Sequence, residues 1–149
     1  MNKSFVNLEN TNHRPDSVYR NVIKKIKAAR ICPFCPEHFP LYHKKPIIKA
    51  GRHWILAENM YPYKGAKLHV ILIHKKHIER ISEVSSAAWS ELLRLAKTET
   101  QKCAISGGTL YMRFGDPSAT GASVTHLHAN LIAPDVRSKK RKPILTRVG

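Results

Sequence analysis

Thr125-His126-Leu127-His128-Ala129-Asn130-Leu131-Ile132 alternates polar and apolar side chains, the pattern of a half-buried β-strand. Read as a strand, it points His126, His128 and Asn130 to one face and packs Leu127, Ala129 and Leu131 into a core behind them. Next neighbours on one face stand about 6–7 Å apart, so one imidazole can hold a metal while the other does chemistry. The plainer alternative is a polar strand face whose histidines are simply satisfied. The rest of the chain decides between the two.

Working outward, the turn-rich stretch Gly115-Asp116-Pro117-Ser118-Ala119-Thr120-Gly121 leads into this strand, and Pro134 closes it. Residues 109–114 read as a further strand, stopped on its other side by Gly107-Gly108. From 84 to 103 the period becomes helical, with Trp89, Leu92, Leu93, Ala96 and Cys103 on one side and Glu91, Arg94, Thr98 and Lys102 on the other. Cys103 then reads as a small buried apolar residue. Residues 68–74 form a β-branched central strand, and 59–67 a loop carrying Tyr61-Pro62-Tyr63 and Gly65. Apolar runs at 46–49 and 53–57 flank Ala50-Gly51-Arg52 as a hairpin. Asp16-Ser17 caps a helix in which Val18, Val22, Ile23, Ile26 and Ala29 recur at helical spacing. The sum is an α+β domain: a five-stranded antiparallel sheet with two helices. The expected organisation is a flexible N-terminus over 1–15, one domain over 16–135, and a basic tail over 136–149.

The chain has 149 residues, 42% of them hydrophobic, and a formal charge of +16. That length suits one domain, and no stretch approaches the ~20 apolar residues of a membrane span. The opening residues lack the apolar core of a signal peptide, so a cytoplasmic location is expected. The excess of Lys and Arg, dense in Arg137-Ser138-Lys139-Lys140-Arg141-Lys142, favours polyanionic partners. Non-specific nucleic-acid contact through the basic surface and tail would follow from charge alone.

Three cysteines do not make a disulfide framework, but Cys32-Pro33-Phe34-Cys35 has the spacing at which two thiolates share one zinc. A pair supplies half a tetrahedral site. His38 and His43 could complete a local knuckle; His77 and His126 could tie the knuckle to the sheet. A redox dithiol is the competing chemistry, but no helical pattern follows to lower the first thiol's pKa.

The segment His126-Leu127-His128-Ala129-Asn130-Leu131-Ile132 resembles the His-φ-His-φ-His-φ-φ motif (φ apolar) of the histidine triad superfamily of nucleotide hydrolases and transferases. Other segments agree in the family's order. Asn59-Met60-Tyr61-Pro62-Tyr63-Lys64-Gly65 resembles its ribose-holding turn, and Val70-Ile71-Leu72-Ile73-His74-Lys75-Lys76-His77-Ile78 resembles the strand and Lys-x-His before its long helix. Gly121-Ala122-Ser123-Val124 resembles the phosphate-side approach to the triad, and zinc-bearing members carry an N-terminal Cys-x-x-Cys. The likeness runs from about residue 32 to 134.

The resemblance implies a structural Zn2+ on Cys32, Cys35, His77 and His126, linking the N-terminal knuckle to the sheet. It implies His128 as nucleophile, with Asn130 in the third triad place. It sets Ser123 and Arg113 beside the phosphates, with the backbone from Gly121 to Ser123 cradling them, and Asn59 beside the ribose. The implied substrate is a purine nucleotide conjugate, such as a dinucleoside polyphosphate or a nucleoside phosphoramidate, attacked to give a nucleotidyl-His128 intermediate. A homodimer through the long helix and an edge strand is implied too, Trp89 being suitably placed. The departure is Asn130, where most members have histidine: an amide donates a hydrogen bond but no proton to a leaving group. The alternative is therefore a catalytically weak or inactive nucleotide- or RNA-binding protein on the same scaffold.

Overall fold

Alternating strands joined by short links, with one long amphipathic segment, fold as an open antiparallel sheet covered by that segment. The computed structural model describes residues 4–12, 17–139 and 142–148. Its elements are α1 (Ser17–Ala29), α2 (Phe39–Tyr42), β1 (Ile47–Ala50), β2 (Trp54–Glu58), β3 (Ala66–His74), α3 (Ser86–Lys102), β4 (Thr109–Arg113), α4 (Pro117–Thr120) and β5 (His128–Pro134). The five strands are antiparallel in the order β1-β2-β3-β5-β4. This is the expected α+β sheet. The two expected helices are α1 and α3, and α2 and α4 are single turns, each started by proline near its first position. Asp16, expected to cap α1, lies outside the described residues. Among the described residues no helix is long and apolar enough to cross a membrane.

Strand alternation gives the sheet two working faces. On one, Trp54, Leu56, Val70, Leu72, Ala129 and Leu131 pack against Ala88, Leu92 and Leu95 of α3. On the other, Ile55, Ala57, Ile71 and Ile73 pack under Phe39, and Ile23 and Ile26 of α1 meet Val6 and Val124.

Three expectations change. β5 starts at His128, so His126 does not share the strand face with His128 and Asn130; it lies in a bend just before the strand. The helix stripe is rotated. Ala88, Glu91, Leu92, Leu95, Ala96 and Glu99 are buried, while Leu93 is 58% exposed and Cys103 only half-buried. Trp89 is half-buried against the main core. Finally, the N-terminal segment 4–12, expected to be flexible, packs onto the domain. Val6 is buried and bridges Val124, and Asn10 donates to the carbonyls of Pro117 and Ala122 (2.8 and 2.7 Å).

The rotation has a physical cause in Glu91. The tight turn between β1 and β2 leaves backbone N–H groups unpaired, and the Glu91 carboxylate accepts those of Arg52 (3.2 Å), His53 (3.0 Å) and Trp54 (3.1 Å). A buried carboxylate is tolerated when N–H groups satisfy it. Gly51 is required here because a Cβ would collide with the Glu91 side chain. Burial pushes the Glu91 carboxyl up, but the bonds from His53 and Trp54 outweigh it and hold the group below its ordinary range. A carboxyl depressed in the folded state stabilises above its unfolded value, about 4.3, and loses that stabilisation as pH falls through the folded value. Glu91→Ala, which orphans these donors, is expected to cost about 3 kcal/mol in urea unfolding at pH 7. Glu91→Gln should flatten the loss of stability below pH 4–5; an unchanged acid limb would contradict the assignment.

Candidate active site and metal centre

The helix α1 ends at Ala29, with Arg30 in the left-handed region (φ 55°), and the chain turns at once into the Cys32–Cys35 knuckle. That turn faces the bend before β5 and the segment after β3. Cys32, Cys35, His77 and His126 meet there, their ligand atoms all within 4.8 Å of one another. Cys32 Sγ is 3.3 Å from His126 Nδ1, and Cys35 Sγ is 3.4 Å from His77 Nδ1. Ligands at zinc distances on tetrahedral corners lie about 3.5 Å apart, so the spacing fits. His38 and His43, the local alternatives, stand apart: His38 Nδ1 bonds the Cys32 carbonyl (3.0 Å) and His43 stacks on Phe39.

The protonation pattern also fits a metal. His126 Nε2 lies 2.5 Å from the His74 carbonyl, and His77 Nε2 lies 3.2 Å from Glu79 Oε1. A carbonyl or carboxylate can only accept, so Nε2 carries the proton in each ring and Nδ1 is left as a lone pair toward the thiols. Burial pushes the Cys32 thiol up to about 12 and His126 down to about 4. Such a thiol ionises at neutral pH only beside a compensating cation. Two thiolates and two imidazole nitrogens form a soft, closed donor set that could hold a metal ion, with no position left for a substrate.

His128 begins β5 next to this cluster. Its Nδ1 is 2.7 Å from the carbonyl of His126, which makes Nδ1 the protonated nitrogen and leaves Nε2 bare. Burial, reinforced by the charge of Arg113, pulls its pKa down to about 4, so the ring is a neutral base at pH 7. Phe34, inside the knuckle, sets its ring edge-on to His128, centroids 5.0 Å apart.

Sheet register then fixes which side chains share the cavity. Arg113 pairs with His128, which pairs with Ile73; Tyr111 pairs with Asn130, which pairs with Ile71. The cavity is lined by Arg113, His128, Tyr111, Asn130 and Ile71 of these rows, together with Asn59, Gly121, Ser123 and the apolar side of α1. All six cavity residues picked out of the sequence (His128, Asn130, Asn59, Arg113, Gly121 and Ser123) therefore lie in one place. Their hydrogen bonding is less free than expected. The Gly121 amide closes α4 onto Pro117 and the Ala122 amide bonds Thr120 Oγ1. Of the expected phosphate cradle, only the Ser123 amide keeps no acceptor among the described residues.

Solved structures share this arrangement of elements. A HIT family hydrolase from Legionella pneumophila Philadelphia 1 matches 74% of this chain and 98% of its own, at 23% identity and a TM-score of 0.58. A HIT family hydrolase from Clostridium thermocellum matches 74% and 96%, at 23% identity and 0.56. The fold is that of the histidine triad proteins. A zinc-bound histidine triad family protein from Mycobacterium smegmatis matches 75% of this chain and 83% of its own, at 16% identity and 0.55. No protein-family model matches the chain, and no curated protein matches it in sequence.

Sequence reasoning missed part of the cavity lining. Tyr63, Tyr111 and Phe34 were not singled out, although Tyr111 is two residues before Arg113 on the same strand. Nor was the C-terminal segment: Leu145, Thr146 and Arg147, read as part of a basic tail, line the cavity. Lys140 and Arg141 of that basic run lie outside the described residues. The Arg113 guanidinium donates to Thr146 Oγ1 (2.9 Å) and to the Arg147 carbonyl (2.6 Å), bonds that no local pattern announces. Cutting the chain after Lys139 should therefore free Arg113. Phenylglyoxal labelling followed by peptide mass spectrometry is expected to modify Arg113 faster in the shortened protein; equal rates would contradict the contact.

Proposed function

We propose that this chain is a histidine triad enzyme, a nucleotide-conjugate hydrolase or nucleotidyltransferase that works through a nucleotidyl-His128 intermediate. The observation that carries the reading is the bond from His128 Nδ1 to the His126 carbonyl. It presents an unprotonated Nε2 on the cavity face, the form in which an imidazole is a nucleophile.

In the first step the Nε2 lone pair attacks the α-phosphorus of a purine nucleotide conjugate. A P–N bond forms, the P–O or P–N bond to the leaving group breaks, and the leaving group takes its proton from water. Water or another acceptor then attacks phosphorus, the P–N bond to His128 breaks, and the nucleotide is released while the acceptor's proton goes to solvent. The Arg113 charge and the Ser123 amide offset charge on the non-bridging oxygens, and the Asn130 amide donates to one of them. Asn59 lies at the ribose side. Asn130 moves no proton, so substrates with good leaving groups are favoured. Dinucleoside polyphosphates and reactive phosphoramidates fit that demand. A homodimer through α3 and edge strand β4, where Leu93 and Leu110 stand exposed, belongs to the same reading.

Cys32, Cys35, His77 and His126 would hold one Zn2+, and its chemistry there is that of a structural cross-link between knuckle and sheet. The chain's residues around it hold the bend that aims His128.

Two outcomes test the proposal. Turnover across a panel of labelled dinucleoside polyphosphates and nucleoside phosphoramidates is expected for the wild type and lost in His128→Ala. Binding without turnover would instead support the nucleotide-binding alternative that Asn130 raises. For the metal, one Zn2+ per chain is expected by elemental analysis, and Cys35→Ser should lower both zinc content and melting temperature. A fully folded wild type free of metal would refute it.

A further inference from the structure

The cavity face carries a polar cluster beyond the triad positions. His69 on β3 stands opposite Ile132 and Asn130 on β5 opposite Ile71, which makes the two diagonal neighbours on one face, within reach of long side chains. Asn59, just past β2, joins them, its backbone N–H bonded to the His69 carbonyl (3.0 Å). His69 Nε2 lies 3.1 Å from Asn130 Oδ1, and Asn59 Nδ2 lies 3.4 Å from the same oxygen.

Two backbone groups fix the His69 tautomer and the Asn59 amide. The Tyr63 N–H points at His69 Nδ1 (3.1 Å). A backbone N–H can only donate, so Nδ1 is a lone pair and the ring carries its proton on Nε2. The Tyr61 N–H donates to one end of the Asn59 amide (2.8 Å), which makes that end the oxygen and the other end NH2. Asn59 Nδ2 and His69 Nε2 stand 3.1 Å apart; both carry hydrogen, so neither accepts from the other, and the two donors share a single acceptor atom of Asn130. That atom has to be oxygen, and the remaining end of the Asn130 amide is its NH2 group. The ring of His69 is held in plane by stacking on Tyr63, with centroids 4.9 Å apart and planes 19° apart. His69 and Asn130 are both buried, so water does not compete for these bonds.

We infer that His69 is a positioning residue, which together with Asn59 locks the Asn130 carboxamide so that its NH2 group, and not its carbonyl, is offered to the phosphoryl group at His128. The inference rests on the nucleotidyl-transfer reading and deepens it. An untethered amide could turn either end to the substrate, and its oxygen would repel the non-bridging oxygens. Held as it is here, Asn130 is a preorganised donor that needs no reorientation as charge builds on phosphorus. Asn59 is then more than a ribose contact, because half of its amide is spent on this lock.

Imidazole nitrogen NMR of the zinc-loaded, full-length protein tests the lock without substrate. It should show His69 protonated on Nε2 with a bare Nδ1; protonation on Nδ1 overturns the inference. A double-mutant cycle tests its consequence. Asn130→Ala and His69→Phe should each lower kcat on the order of 10²-fold with KM nearly unchanged, and the double variant should be no slower than Asn130→Ala alone. Losses that multiply would show that His69 does not act through Asn130. His69→Gln, which keeps a donor toward Asn130, should recover part of the rate. Absence of turnover in the wild type would count against the His128 chemistry, whereas the ring tautomer judges His69 on its own.

Discussion

The 2.7 Å bond between His128 Nδ1 and the backbone carbonyl of His126 is the interaction on which the site depends. His126 takes part in two structures at once. Its side chain is fully buried among two cysteines and His77, and its carbonyl sets the tautomer of His128. The chain can do both only because it bends at His126 before β5 begins. Had the strand run on, the side chain of His126 would lie in the cavity beside His128, out of reach of the knuckle. An imidazole aimed by a backbone atom is as rigid as the segment carrying that atom, and here the segment is held by the donor cluster on one side and by β3 on the other.

The sheet register carries this order across the cavity. Arg113, His128 and Ile73 form one row and Tyr111, Asn130 and Ile71 the next, with His69 one step further along β3. Cross-strand neighbours on one face approach within about 5 Å, so pairing alone brings the Arg113 charge, the His128 ring and the Asn130 amide together. The opposite face is apolar and covered by α3. Glu91 is the exception. Its carboxylate, satisfied by turn N–H groups, locks the β1–β2 hairpin to that helix.

Much of this was legible in the sequence because it rests on periodicity and spacing. The alternation at 125–132 and the hairpin at 46–57 gave the strands, and the Cys-x-x-Cys spacing gave half of a donor set. What was not legible depends on tertiary partners. Glu91 looks like a solvent-facing acid until the turn that supplies its donors is in place. His126 looks like a strand residue until His74 and Cys32 draw it out of the alternation. Choosing His77 and His126 over His38 and His43 needed either the family likeness or the folded chain. The clue to His69 was present, since it lies two residues before Ile71 and so shares the cavity face, but an isolated strand histidine carries no pattern of its own. The C-terminal contacts to Arg113 have no periodic signature at all.

Transfer through His128 is tested by where a nucleotide becomes attached. Rapid acid-free quenching of the wild type with a labelled dinucleoside polyphosphate, followed by tandem mass spectrometry of its peptides, reads this directly. A single nucleotidyl group, carried on His128, is expected. A nucleotidyl group on another residue, or turnover with none detectable at any time point, would contradict it.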